Sequence, residues 1–253
     1  MPPVVVAVAN QKGGVGKTTT SVNLAAALSA SYRVLLVDLD PQGNASTHLG
    51  LAHGGRIPGS YEWLVDDDPV QPRMVGTRLA LLPATLELAA AELELSAIAR
   101  PRHRLKERLA SLDDVRDVVV IDCPPSLGLL TLNALAAATH LIIPLQCEFF
   151  ALEGTAHLVR TVERLRRDVN PALQIGGVLL TMFDRRNNLS ELVATDARSF
   201  FGNVVFKTVI PRNIRLSEAP SHGQSIQAYD PRSAGALAYS GLARELLERL
   251  GWK

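Results

Sequence analysis

Asn10-Gln11-Lys12-Gly13-Gly14-Val15-Gly16-Lys17-Thr18-Thr19-Thr20 is the stretch whose reading decides the fold. The apolar run Val4–Ala9 before it reads as a buried strand. Thr18–Ser29 after it, with Val22, Leu24, Ala25 and Leu28 apolar, reads as a helix. A glycine-rich turn between strand and helix aims backbone N–H groups and the positive end of the helix dipole at one point, which suits a polyphosphate. Gly13, Gly14 and Gly16 are expected to let the backbone approach closely, in dihedrals that side chains forbid. Lys17 is placed to reach the β- and γ-phosphates, and the Thr18 hydroxyl to ligate Mg²⁺. The expected cofactors are a nucleoside triphosphate and Mg²⁺, with Lys12, Gly13, Gly14, Val15, Gly16, Lys17, Thr18 and Thr19 as the binding set.

The loop departs from the common G-x-x-x-x-G-K-[ST] pattern, because Gln11 stands where its first glycine belongs. It carries a second lysine, Lys12, at its start. That form, K-G-G-x-G-K-[ST], resembles the deviant Walker A loop of the ParA/MinD superfamily of P-loop ATPases.

A second strand reads Val37-Asp38-Leu39-Asp40-Pro41-Gln42-Gly43 at its end. Strand residues two apart point the same way, so both carboxylates can face the phosphate site. Ligands of open α/β sheets bind at the carboxyl ends of strands. Either Asp38 or Asp40 could organise the attacking water or the Mg²⁺ shell, and an aspartate at a strand end can also cap the next turn. Val118-Val-Val-Ile121-Asp122 has the form of a Walker B strand, whose carboxylate holds Mg²⁺, through water, beside Thr18.

Short apolar runs recur at Val4–Ala9, Arg33–Asp38, Val118–Asp122, His140–Leu145, Ile175–Thr181 and Val204–Ile210. Helical patterns separate them at Thr18–Ser29, Leu88–Ala99, Arg102–Leu112, Leu127–Ala138, Gly154–Val169, Ser190–Phe200 and Ala234–Leu250. Near-continuous apolar strands alternating with helices imply an α/β fold, a P-loop NTPase with a twisted, mostly parallel central sheet and helices on both faces. The 253 residues suffice for one domain, 1–253, and no linker divides them. Weak order is expected around His53–Pro72, where Gly54-Gly55, Pro58-Gly59 and Asp66-Asp67-Asp68-Pro69 mark turns.

The apolar runs are strand-sized, far short of the roughly 18 residues of a membrane span. Residues 1–9 lack the charged start of a secretion signal. Cys123 and Cys147 form neither a disulfide framework nor a C-x-x-C pair, which points to reducing cytoplasm. The nitrogenase iron protein shares this fold and bridges a cluster with cysteines. Here both cysteines read as small semi-buried hydrophobes. The net charge of +1 is uninformative, but from Arg160 to Arg215 ten cations face five acids, a bias that permits nucleic-acid binding.

Thr181-Met-Phe-Asp184-Arg-Arg-Asn-Asn-Leu and Ile210-Pro-Arg-Asn-Ile-Arg-Leu-Ser-Glu-Ala-Pro-Ser-His-Gly match no generic motif. They closely resemble the chromosomal ParA (Soj-type) segregation ATPases, and D-x-D-P-Q-G-N at residues 38–44 resembles that family's Walker A′ motif. The resemblance runs over most of the chain and is weakest at about residues 50–115. It implies that the nucleotide is ATP, that Asp40 is tied to hydrolysis and the metal shell, and that Asp38 supports the site. It further implies that Pro211 and Asn213 line the adenine pocket, and that Arg186 and Arg215 contact double-stranded DNA without sequence preference. Arg212 is a nearby candidate. The implied cycle is an ATP-dependent homodimer, associated with the nucleoid and discharged by a ParB/Spo0J-type centromere-binding partner. Lys12, at the loop's mouth, is expected to act across the dimer.

Two rival functions are a MinD-like membrane ATPase and a metabolic P-loop enzyme such as a dethiobiotin synthetase. The first needs a cationic amphipathic C-terminal helix, but Gly241–Lys253 contains Glu245 and Glu248 among its leucines and reads as packed on the core, with no membrane role. The second does not call for Lys12 together with arginine-bearing loops. The first strand starting at Val4 leaves no room for an N-terminal helix-turn-helix of the longer plasmid type.

Overall fold

Val, Ile and Leu dominate the central strands because these are covered on both faces, so alternate residues serve two separate cores. The computed structural model describes residues 3–51, 57–66, 70–112, 116–149 and 153–252. Its strands are β1 (Val4–Val8), β2 (Val34–Asp38), β3 (Arg73–Met74), β4 (Leu79–Leu82), β5 (Val118–Asp122), β6 (His140–Gln146) and β7 (Gln174–Thr181). The helices are α1 (Lys17–Leu28), α2 (Asn44–His48), α3 (Ser60–Leu64), α4 (Leu88–Ser96), α5 (Arg104–Ala110), α6 (Leu129–Ala137), α7 (Glu153–Asp168), α8 (Asn188–Phe201), α9 (Arg215–Glu218), α10 (Ile226–Tyr229) and α11 (Ala234–Arg249). The described strands form one seven-stranded sheet in the order β3-β4-β2-β5-β1-β6-β7, parallel except for the β3–β4 pair.

One core lies under Val5, Ala7, Leu35, Val37, Val119 and Ile121, and takes Trp63, Leu88, Leu130, Leu158 and Val193 from α3, α4, α6, α7 and α8. The other lies under Val6, Val8, Val34, Leu36, Val118 and Val120, and takes Val22 and Leu28 of α1 with Tyr239, Leu242 and Leu246 of α11. The expected α/β architecture with helices on both faces is therefore what forms. The C-terminal leucines pack as expected: Leu242 and Leu246 are buried, and Trp252 meets the Tyr32 ring at 5.0 Å. No described helix is long and apolar enough to cross a membrane.

Three local expectations change. Val204–Ile210 is not a strand. Phe206 N–H donates to the Val178 carbonyl at 2.9 Å and Ile210 N–H to that of Leu180 at 2.8 Å. Between them Lys207 and Thr208 turn their N–H groups to the Glu245 carboxylate of α11, at 2.8 and 2.9 Å. Arg249 meets the free carbonyls of Gly176, Val204 and Val205 and stands over the Phe206 ring at 4.2 Å. Side chains from one helix thus replace the sheet ladder. The short apolar run Leu79–Leu82, passed over in the sequence, is the buried strand β4 beside β2. Within the supposedly weak His53–Pro72 region, α3 forms, and Glu62 Oε2 accepts the Gly59 N–H at 2.8 Å. Gly54-Gly55 and the acidic turn at 67–69 lie outside the described residues.

Candidate active site

β1 lies between β5 and β6, so the loop that follows it opens at the centre of the sheet's carboxyl edge. Asn10 fixes where that loop starts: its Nδ2 donates to the Pro144 carbonyl at 2.7 Å, and its Oδ1 accepts the Lys12 N–H at 3.1 Å. At the far end the Val15 carbonyl accepts the Thr181 hydroxyl at 2.9 Å, tying the loop to β7. The Val15 side chain is buried, so only its backbone can serve a ligand. Gly14 and Gly16 have φ of 75° and 87°, the left-handed region that side chains resist. Gly13 does not, which corrects the expectation for that residue; a Cβ on Gly13 or Gly14 would meet nothing within 4 Å. Gly16 caps α1 without a side chain, and the first turn holds no acid. The N–H groups of that helix end are thereby left for an anion.

Lys17 is buried at 7% exposure, and its Nζ donates to the Lys12 carbonyl at 3.0 Å. Burial pulls its pKa down, and Asp122 and Asp40 oppose the shift. One lysine and two aspartates thus converge under the loop. Asp122, fully buried, accepts the Ser21 hydroxyl at 2.8 Å on Oδ1, while Oδ2 has no hydrogen-bond partner among the described residues. Burial first, then the neighbouring Asp38, pushes its carboxyl above the usual range, against the Thr18 and Ser21 hydroxyls. A buried carboxylate oxygen without a donor is costly unless a cation meets it. Among the described residues no three His, Cys, Asp or Glu side chains cluster as a cage. This donor set fits Mg²⁺, which keeps waters and shares phosphate oxygens; Asp122 and Thr18 are the oxygens on offer.

The two aspartates of the second strand do not share a role. Asp38 is fully buried: Oδ1 accepts the Asp40 N–H at 3.2 Å, and Oδ2 accepts Ser46 N–H and Oγ–H at 2.9 and 2.7 Å. Its carboxylate is thereby consumed in holding α2 and the 40–46 turn, rather than facing the mouth as the two-residue spacing suggested. Asp40 accepts only the Gln42 N–H, at 3.0 Å on Oδ1, and lies close enough to Lys17 and Asp122 to shift both.

Lys12 folds back onto Glu148, just beyond β6, in an ion pair whose two side chains are 40% and 39% exposed. Sequence reading missed Glu148, because nothing local marks a partner 136 residues away. Thr19 and Gly16 open on a cavity of about 190 Å³ whose other walls include Thr181, Met182, Pro211, Arg212 and Asn213. Met182, φ 51°, is a non-glycine residue in the left-handed region, which turns the chain out of β7 over this cavity. Pro211 and Asn213 thus line the same cavity as Gly16 and Thr19 of the loop.

The end of β7 also brings two arginine-bearing segments together: Phe183 pairs with Pro211, and the Arg212 N–H donates to the Phe183 carbonyl at 3.0 Å. Arg186 is held by Asp184, and Arg215 by Glu218 and Asp230. Arg212 is exposed on the cavity rim. Cys123 and Cys147 are buried, at 1% and 7% exposure, and burial pushes both thiols up, Cys147 to about 11. Neither is a thiolate, which bears out their reading as hydrophobes.

A family model described as an AAA domain matches residues 4–175. The chain is 51% identical over 251 residues to the chromosome partitioning protein ParA of Caulobacter vibrioides, covering 97% of this chain and 94% of that one. It is 51% identical over 246 residues to the sporulation initiation inhibitor protein Soj of Bacillus subtilis, covering 96% and 97%. Among solved structures, a Mycobacterium smegmatis protein named as cobyrinic acid a,c-diamide synthase, with bound ATP analog and magnesium, superposes with a TM-score of 0.85. That pair shares 40% identity over 98% of this chain and 96% of the other.

Proposed function

The chain belongs to the ParA/Soj family of chromosome-partitioning ATPases, and on that premise we propose that residues 1–253 act as one Mg-ATP-switched unit. With ATP it closes as a homodimer and binds double-stranded DNA without sequence preference. A ParB/Spo0J-type centromere-binding partner then stimulates hydrolysis. The protein works in the cytoplasm on the nucleoid, with no membrane role. The observation that carries this reading is the buried, unpartnered Oδ2 of Asp122 beneath an uncapped helix N-terminus and a buried lysine. Such a site is incomplete until a polyphosphate and its cation fill it.

In this mechanism Lys17 and the N–H groups of Gly13 to Thr19 take the β- and γ-phosphates. Thr18 and Asp122, with Asp40 nearby, would hold Mg²⁺, which when bound would offset charge on the phosphate oxygens. Asp40, with one carboxylate oxygen free of backbone bonds, orients the attacking water. Asp38 keeps the 40–46 turn in place for it. Pro211 and Asn213 receive adenine, and Thr19 lies between the two parts of the nucleotide.

Lys12 swings from Glu148 to the facing subunit's phosphates, as an arginine finger does in trans. Two facing triphosphates repel, so closure needs such cations. Arg186 and Arg215, with Arg212 beside them, pair DNA phosphates. Against a membrane role stands α11, whose apolar side is spent on the core. Against a small-molecule enzyme stands the higher identity to partitioning proteins.

The test is co-sedimentation with duplex DNA of unrelated sequences and with anionic liposomes, in ATP and in ADP. DNA pelleting in ATP alone is expected. Pelleting with liposomes, or with neither, overturns the reading.

A further inference from the structure

Arg186 and Arg215 differ from the other cations around them in being already occupied. Arg186 Nε and Nη2 donate to Asp184 Oδ1 and Oδ2 at 3.1 and 3.0 Å, a bidentate fork on a side chain that is 89% exposed. Arg215 Nη1 donates to Glu218 Oε2 at 2.8 Å, and its Nε lies 3.7 Å from Asp230 Oδ2. Arg185 and Arg212, by contrast, form no ion pair with a carboxylate among the described residues, though Arg212 lies near enough to Asp184 to help lower its pKa.

The carboxylates are themselves held in place. Asp184 Oδ1 also accepts the Arg186 N–H at 3.0 Å, and the Asp184 N–H meets Ser190 Oγ at 3.3 Å. Glu218 Oε2 also accepts the Tyr229 hydroxyl at 3.2 Å, and the Tyr229 ring stacks on His222 at 4.8 Å. Each acid is therefore tied to its own segment by a bond besides the one to its arginine's guanidinium.

A carboxylate and a phosphate offer a guanidinium the same planar pair of acceptor oxygens, so they compete for one fork. An arginine paired with a fixed acid carries almost no net charge, and its acid repels an incoming phosphate. It therefore releases less counterion on binding DNA than a free arginine does. An exposed pair of this kind is weak enough for DNA to displace it.

We propose that Asp184 and Glu218 are built-in competitors of the DNA backbone, which hold the affinity of Arg186 and Arg215 for duplex below what the bare arginines would give. The proposal rests on reading those two arginines as DNA contacts. The consequence is a grip that forms only when many contacts add up, as in a dimer, and lets go readily when the dimer opens. Four bare arginines per dimer would give a salt slope near −4, at roughly −0.9 per phosphate. The wild type is expected to be shallower.

Asp184→Asn and Glu218→Gln remove the charge and keep the acceptor oxygens that hold Arg186 N–H and Tyr229. DNA affinity of each ATP-bound variant, and of the double, is measured on duplexes of unrelated sequence over a salt series. Arg186→Ala and Arg215→Ala run beside them. Each acid-to-amide change is expected to tighten DNA binding about threefold and the pair about tenfold. The slope of log K against log salt should steepen by up to roughly 0.9 per freed arginine. A damaged fold loses affinity, so a gain cannot come from damage.

If both acid variants bind as wild type or more weakly while the arginine variants lose affinity, the competition is refuted and the DNA contacts stand. If the arginine variants themselves bind as wild type, the contacts fall and the competition with them.

Discussion

Under the phosphate loop, Asp122 and Lys17 are buried with valences left over: one carboxylate oxygen has no donor, and one ammonium has a single carbonyl. At the end of β7, Arg186 stands almost wholly in solvent and its Nε–Nη2 fork is filled by Asp184. The first region keeps charges unpaired where pairing would be strongest, in low dielectric. The second pairs them where water and salt make pairing cheap to break. A site that must hold one small ligand tightly benefits from unmet, desolvated groups. A surface that must seize and release a long polyanion benefits from the opposite.

The largest break in that contrast is expected at Asp40. Asp40→Ala removes help to the attacking water along with an outer contact to the metal, so turnover with DNA and partner should fall about a thousandfold, within the usual span for one positioned base. ATP binding should stay within about threefold, and light scattering should find a trapped dimer in ATP. Hydrolysis at the wild-type rate would move the role to another residue, and a monomer in ATP would end the dimer model.

Lys17→Ala comes next. A charge-assisted contact to phosphate in a buried site is worth about 3 kcal/mol, or roughly a hundredfold in affinity. Titration calorimetry with Mg-ATP checks it, and retained affinity would mean that the loop's N–H groups suffice.

His48 sharpens the contrast, because it lies where the two regions touch. It sits on α2, after the Asp40 turn, at 3% exposure, and its Nε2 has no hydrogen-bond partner among the described residues. Burial lowers its pKa to about 4 from 6.5. A base depressed in the folded state is neutral in both states above pH 6.5, so stability there is unaffected. As pH falls from 6.5 towards 4 the unfolded chain takes a proton that the folded one refuses, and stability is lost. The loss is about 2 kcal/mol between pH 6.5 and 5. Urea melts of wild type and His48→Asn across that window should diverge in slope; parallel curves would exclude His48 as the source.

The smallest effect belongs to the exposed arginines. Arg215→Ala should weaken DNA binding only about threefold, because its charge is already offset. A tenfold or larger loss at physiological salt would mean that Glu218 leaves the arginine before DNA arrives.

Much of the first region was legible as sequence, because its chemistry is local. Val4–Ala9 and Val118–Asp122 are apolar runs that could only be buried, and Gly14 to Thr18 carry the backbone shape and donors of an anion site in consecutive residues. The side-chain types and their spacing raised the expectation of a phosphate loop with acids beside it, and the fold brings Lys17, Asp40 and Asp122 together at one sheet edge. The resemblance supplied the rest of the assignment, down to Pro211 and Asn213 beside one cavity.

Tertiary structure alone decided which charges meet. Asp38 and Asp40 look equivalent on a strand, yet Ser46, eight residues past Asp38, claims the first and leaves the second free. Lys12 finds Glu148, 136 residues on but just past the neighbouring strand β6. Val204–Ile210 has the composition of a strand and loses its ladder to Glu245 and Arg249 of a distant helix. A hydrophobic pattern determines burial because burial depends on a residue's own surface. Ion pairs and hydrogen bonds depend on a partner's position to within an ångström, and that position exists only once the chain has folded.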